Sequence, residues 1–340
     1  MVARVARSST SSMRHPLRSL VAMVAHLPPA PAAVARPATA AAVVPAAAVA
    51  GQAVALIAGA RRTVGLEVYE LGNPAVVAAL VAAHRRGVAV QVVVDPTEGQ
   101  SVAAAATLAR AGVAVRRLAV AGGIDHVKLL VVDGTTVLTG GVNLGATSSY
   151  TSDLDVELHG AAAGQAASAV VATDWAAAGG AGRPSSGSAG PFVSGPAIEG
   201  AMLAVLAGTP DRGSCTVLAN YLTDWTIRDG LVAAARRGVR VTVDLNGSAY
   251  GAAVAMQRLR AGGVRVVTAP SEPYLHAKVL ACGTAAVVGS ANFSYDGLTV
   301  NHEVDVRLAG PAAAAVTAAA DRIAAAGTVR VGMLSAWRSW

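Results

Sequence analysis

The sequence predicts an α/β protein in which one domain occurs twice. Three observations carry this: a long internal repeat, strand–helix–strand alternation inside each copy, and a Gly/Ser/Pro-rich break between the copies. Leu80–Val88 (LVAAHRRGV) recurs as Leu231–Val239 (LVAAARRGV), and Arg110–Val113 (RAGV) returns near Arg260–Val264 (RAGGV). Asp155–Gly160 (DVELHG) returns as Asp305–Gly310 (DVRLAG), and all offsets are 150 or 151 residues. A period of that length is a duplicated domain, since solenoid units are far shorter. With 340 residues, 54% apolar and 14% charged, the chain can bury a sizeable core, and a wholly disordered protein is excluded.

The elements follow in order. Residues 1–49 are Ala/Pro/Val-rich and read as a low-complexity arm or a signal segment. Arg4, Arg7, Arg14 and Arg18 precede a short apolar run, Leu20–Leu27, and Ala33-Val34-Ala35 fits a signal-peptidase site. Pro37–Ala60 carries no charge, but its alanines and its interior Pro45, Gly51 and Gln52 favour a buried helix after a loose arm over a membrane span. The first lobe is set at 50–178, the linker at 179–197, the second lobe at 198–326, and 327–340 is an unassigned tail.

Each lobe opens with an apolar strand (Val64–Leu71; Thr216–Leu222) and a helix ending in Arg-Arg-Gly, where cations face the helix dipole and glycine closes the turn. A β-branched strand (Val88–Val94; Val239–Leu245) leads into a helix ending near Ala111 or Ala261 and a short strand (Val113–Leu118; Val264–Thr268). Further strands begin at Val127 and Ala277, and an alanine-rich helix closes each copy. Such alternation argues for sheets with helices on both faces.

Chemistry concentrates in two stretches. His126-Val-Lys128 runs on to Asp133 and Gly140-Gly141-Val-Asn143; His276-Ala-Lys278 runs on to Gly289-Ser290-Ala-Asn292. Residues two apart on a strand share a face, so each His-x-Lys presents an imidazole and an amine side by side. The glycine turn lets backbone approach closely, and the asparagine adds an amide. Two cations, two neutral donors and two imidazoles suit a phosphate. Seven histidines and two lysines placed at random give about 0.04 such pairs, against two observed in register with the repeat. Of 27 basic residues only Lys128 and Lys278 are lysines. His84, His159 and His302 fall opposite Ala235, Ala309 and Ser152, while His15 and His26 lie outside the copies, so these five read as structural or solvated. The doubled Arg85/Arg86 and Arg236/Arg237 read as helix termini.

The net charge of +7 favours anionic partners without choosing among them. Cys215 and Cys282 cannot form a disulfide framework and show no metal-type spacing; Cys282 reads as a buried, inert thiol.

His-x-Lys-x4-Asp followed by Gly-Gly/Ser-x-Asn, present twice, resembles the phospholipase D superfamily with its paired HKD motifs. The resemblance covers the chain from about residue 50 to about residue 326. It implies a duplicated phospholipase D-like fold, two α/β/α lobes with mixed sheets related by pseudo-twofold symmetry, and one active site at their seam. It further implies cleavage or alcohol exchange at phosphodiesters with no metal and no cofactor. His126 would form the phosphohistidine, and His276 would protonate the leaving alcohol and then help deprotonate the acceptor. Lys128, Lys278, Asn143 and Asn292 would hold the non-bridging oxygens, with Gly140, Gly141, Gly289 and Ser290 forming the phosphate-side turns. The family places an acid after each motif to orient its histidine; Asp153 and Glu303 are the candidates, with Asp155 and Asp305 as a second pair that could instead serve the following strand. Asp133 would support the fold near the site, and the second copy lacks its counterpart where Cys282-Gly283 stands.

The functional expectation is a phospholipase D-type enzyme acting on glycerophospholipids, by hydrolysis or by transfer of the phosphatidyl group. It would make peripheral contact with a membrane surface; Tyr150, Phe293, Tyr295 and Leu298, in the loops after the motifs, could line an apolar entrance, with Phe293 and Leu298 reading equally as core. The alternatives are an HKD-type endonuclease acting on DNA or RNA, disfavoured by 4% aromatic content, and a catalytically dead phosphate-binding scaffold. The oligomeric state stays open, as does the compartment, between cytoplasm and export.

Overall fold

The computed structural model describes residues 40–328, so the expectations for Leu20–Leu27, Ala33–Ala35 and the end of the tail lie outside the described residues. The first lobe runs β1 (Ala40–Pro45), α1 (Ala46–Gly59), β2 (Thr63–Val68), α2 (Pro74–Arg85), β3 (Ala89–Val94) and α3 (Gly99–Arg110). It continues through β4 (Ala114–Arg117), β5 (Lys128–Val132), β6 (Thr136–Gly140), β7 (Leu154–His159) and α4 (Ala161–Ala178). The second runs β8 (Gly187–Ala189), β9 (Phe192–Ser194), α5 (Ala197–Gly208), β10 (Ser214–Ala219), α6 (Trp225–Arg236) and β11 (Arg240–Leu245). After these come α7 (Ala252–Ala261), β12 (Arg265–Thr268), β13 (Lys278–Cys282), β14 (Ala285–Gly289), β15 (Val304–Ala309) and α8 (Gly310–Ala325).

The sheet orders are β1-β7-β6-β5-β2-β3-β4 and β9-β15-β14-β13-β10-β11-β12, with β8 added beside β9. The two orders are the same order. In each, three strands are parallel (β2, β3, β4; β10, β11, β12) and the rest antiparallel. An apolar core lies under α1–α3 in the first lobe and under α5–α7 in the second. A third core joins the lobes, bringing Leu129, Val131, Val156 and Val170 together with Val279, Val288, Val306 and Val316. Both sheets are therefore covered on both faces, which is why their central strands are continuous apolar runs.

Two boundaries differ from the sequence expectation. β1 falls inside the segment read as an arm and splits Pro37–Ala60 into a strand and a helix, because its residues pair antiparallel with β7, far along the chain. β8 and β9 fall inside 179–197: β9 takes the place beside β15 that β1 takes beside β7. Among the described residues no helix is long and apolar enough to cross a membrane.

Local signals explain the helix ends. Asn73 caps α2, its Oδ1 accepting from Ala75 N and Val76 N, and Asp224 caps α6 by accepting from Ile227 N. The doubled arginines do more than meet a dipole. Arg86 donates to Ile57 O and Ala58 O at the end of α1, and Arg237 to Leu206 O and Thr209 O at the end of α5.

The corner that differs between copies is also resolved. Asp133 sits at the end of β5 away from His126, at φ 53°, and accepts from the backbone N–H groups of Arg61, Arg62 and Thr63 at the start of β2. At the matching corner of the second lobe Cys282 is bonded to Cys215, so neither cysteine is the free thiol the sequence suggested. The disulfide ties the end of β13 to the start of β10, the same two strand ends that Asp133 ties by hydrogen bonds.

Candidate active site

His126 and His276 stand just before β5 and β13, where backbone bridges cross between the lobes. His126 N donates to His302 O (2.9 Å), and its twofold counterpart His276 N donates to Ser152 O (3.0 Å). These parallel bridges stitch the segment before β5 to the one before β15, and the segment before β13 to the one before β7.

The acids cross this seam. His126 Nδ1 lies 3.0 Å from both carboxylate oxygens of Glu303 and 3.1 Å from Ser290 O. His276 Nδ1 lies 2.9 Å from Asp153 Oδ2. The sequence reading gave each motif's acid to its own histidine; in the structure each acid serves the histidine of the other lobe. A ring that donates Nδ1–H to a carboxylate is fixed in one tautomer with Nε2 free to react.

Lys128 Nζ donates to His126 O (2.6 Å), and Lys278 Nζ donates to His276 O while lying 3.1 Å from each ring nitrogen of His276. Burial, then Lys128 and Lys278, holds the His126 imidazole well below its usual range. Burial and Lys278 lower His276 to about 4. Burial also lowers Lys128 to about 7 and Lys278 to about 8, and raises Glu303 to about 7. Each histidine thus feels both lysines, so the groups from the two lobes share one electrostatic site.

The turns hold their shape by close approach. A side chain on Gly140 would collide with the backbone of Asp155, and one on Gly289 with that of Asp305. Asp155 Oδ1 accepts from Val142 N and Asp305 Oδ1 from Ala291 N, each at 3.0 Å. This second acid pair braces the turns and touches neither histidine. Gly141 faces the Asp153 carboxylate, and Ser290 supplies the carbonyl beside His126 and an Oγ that accepts from Val304 N. The buried amide oxygens of Asn143 and Asn292 have no protein partner.

Two aromatic rings escaped the sequence reading. Tyr69 lies 5.1 Å from the His126 ring, with Lys128 Nζ 5.3 Å from its centroid, and Tyr274 meets His276 edge-on at 5.9 Å. Their repeat counterparts are Asn220 and Ile124, so comparing the copies gives no signal for them.

The family described as "Cardiolipin synthase, PLD-like domain" matches residues 53–175 and 212–323. Over 91 residues, 26% of the chain, the sequence is 41% identical to the mitochondrial cardiolipin hydrolase of Xenopus laevis, and the match spans 41% of that protein's length. The fold is similar to the phosphatidylserine synthase of Haemophilus influenzae (TM-score 0.65, 13% identity, 85% of this chain and 86% of that one). It is also similar to the polyphosphate kinase of Porphyromonas gingivalis (TM-score 0.60, 16% identity, 80% and 45%). At these identities the structural likeness is one of fold.

Proposed function

Because this chain belongs to the PLD-like domain family, matched in both of its lobes, we propose that it is a phosphodiesterase of phospholipase D type. It acts on glycerophospholipids by hydrolysis or phosphatidyl transfer. The observation that carries this reading is the reciprocal pair of buried imidazole–carboxylate contacts, His126–Glu303 and His276–Asp153, with each imidazole acted on by both lysines.

In the proposed cycle Nε2 of His126 attacks phosphorus while the bond to the alcohol oxygen breaks and His276 gives that oxygen its proton. Water or a second alcohol then attacks the phosphohistidine, loses its proton to His276, and restores His126. Lys128, Lys278, Asn143 and Asn292 hold the non-bridging oxygens as charge builds. The bound phosphate anion supplies the negative charge that lets His276 hold a proton near neutrality.

The rim supports a lipid surface as the substrate's setting. Tyr150, Tyr221, Trp225, Tyr250, Tyr274 and Tyr295 are all exposed, whereas Phe293 and Leu298, expected at the entrance, are buried in the core of the second lobe because they pack under its helices. The exposed rings all lie in short connections or at a helix start, at the end of the strands where the histidines sit. Tyrosine and tryptophan at one edge suit a membrane–water boundary.

The test is release of headgroup from phosphatidylglycerol vesicles, run beside cleavage of plasmid and single-stranded DNA. Headgroup release with a trapped phosphohistidine is the expected result. DNA cleavage without lipid turnover would replace it with the nuclease reading, and inertness on all three substrates would leave a binding scaffold. A pH profile adds a second check. kcat/KM should fall towards acid as the attacking His126 imidazole, held below its usual range, takes up a proton, and towards alkali as His276 gives up its proton and Lys128 and Lys278 lose charge at about 7 and 8. An optimum still rising at high pH would remove the lysines from phosphate binding.

A further inference from the structure

Behind the His126–Glu303 pair lies a second cluster of buried ionisable side chains that the phosphate chemistry does not use. Glu67 on β2, Asp125 before β5, Asp174 on α4 and His302 before β15 are all buried. One ligand atom each from Glu67, Asp125 and His302 lies within 4.8 Å of the other two. His302 Nε2 is 3.5 Å from Glu67 Oε1 and 3.1 Å from Asp174 Oδ2. Yet both oxygens of Glu67, Oδ2 of Asp125 and Nε2 of His302 make no hydrogen bond. Polar atoms this deep without a hydrogen bond are costly, and three buried carboxylates around one imidazole are not what a core settles into unaided.

The internal duplication supplies the control. Under the twofold relation Glu67 corresponds to Leu218, Asp125 to Leu275, Asp174 to Ala324 and His302 to Ser152. Leu218, Leu275 and Ala324 are buried members of the shared apolar core. The fold therefore fills this place with hydrocarbon on one side and with three acids and an imidazole on the other. Nothing in the sheet topology requires the polar version.

We propose that Glu67, Asp125 and His302, with Asp174 beside them, form a site for one divalent first-row transition cation such as Zn2+ or Mn2+. Mixed carboxylate and imidazole ligands suit these ions better than Ca2+ or Mg2+. Bonds of about 2.0–2.2 Å put neighbouring ligand atoms roughly 3.0–3.5 Å apart, the spacing found around His302 Nε2.

The ion is a positioning element and touches no phosphate. Asp125 and His302 are the residues immediately before His126 and Glu303, and they are joined by the backbone bridge that aligns the two. The cation ties four elements of both lobes to that bridge. It does so for one histidine only, which gives the two half-sites different rigidity.

Metal content tests this independently of turnover. Purified protein is incubated with Zn2+ or Mn2+, desalted, and its metal measured by mass spectrometry, with a thermal melt alongside. About one equivalent per chain and a raised Tm are expected. The variant E67L/D125L/D174A/H302S, which copies the other lobe, should retain at least about tenfold less metal and lose the metal-dependent rise in Tm. Glu67→Gln decides the same point if the fourfold variant does not fold. His159→Ala, which removes the exposed His159–Glu157 pair, should retain the full equivalent. Wild-type protein that keeps no metal, or a folded cluster variant that keeps as much as wild type, overturns the proposal and leaves the phosphodiesterase reading untouched.

Discussion

His126→Ala and His276→Ala are each expected to lower phosphodiester turnover by about 10⁴-fold or more, with the double variant scarcely slower than either single one. In the proposed cycle the two imidazoles act on opposite sides of one phosphorus, and losing either stops the same cycle. Steady-state headgroup release from phosphatidylglycerol, whose alcohol leaving group needs a proton, measures this. His84→Ala, at a histidine with no counterpart in the other copy, should stay near wild type. A single His126 or His276 variant retaining a tenth of wild-type turnover would remove that ring from the chemistry.

The crossed acids make the second prediction specific. Asp153→Asn and Glu303→Gln are each expected to cost roughly 10²–10⁴ in kcat, since a carboxamide stabilises the wrong tautomer and cannot balance an imidazolium. The two losses differ in kind. Glu303 serves the attacking ring, so Glu303→Gln stays slow whatever alcohol departs. In the proposed cycle Asp153 serves the ring that protonates the leaving oxygen, so a substrate that releases 4-nitrophenolate, which needs no proton, should restore the first-turnover burst in Asp153→Asn while the second step, in which His276 takes a proton, stays slow. If the nitrophenyl substrate restored the burst in Glu303→Gln and not in Asp153→Asn, the roles of the two histidines would be exchanged.

Much of the architecture was legible because duplication acts as a filter. A residue kept in both copies against a background of substitution stands out, and His126/His276 and Lys128/Lys278 stand out most; the structure places them at one seam. The same symmetry hid the crossing of the acids, because two identical copies give equal support to a carboxylate acting within its lobe or across. Features belonging to one copy only had no comparison to reveal them: Tyr69 and Tyr274, the Glu67–His302 cluster, and the Cys215–Cys282 bond between residues 67 apart. β1 was hidden for another reason. An uncharged Ala/Val run reads equally as coil or helix until its partner β7, more than a hundred residues on, gives it a ladder to join.

Each carboxylate reaching over to the opposite ring means that neither lobe, taken alone, owns a working relay. Two identical lobes facing each other about a diad would complete one another in the same manner, so the single polypeptide is equivalent to a tethered pair. Tethering relaxes a constraint. In a pair built from one gene every substitution appears twice, whereas here one corner could exchange an aspartate for a disulfide, and one flank leucines for ionisable groups, while the opposite member stayed as it was.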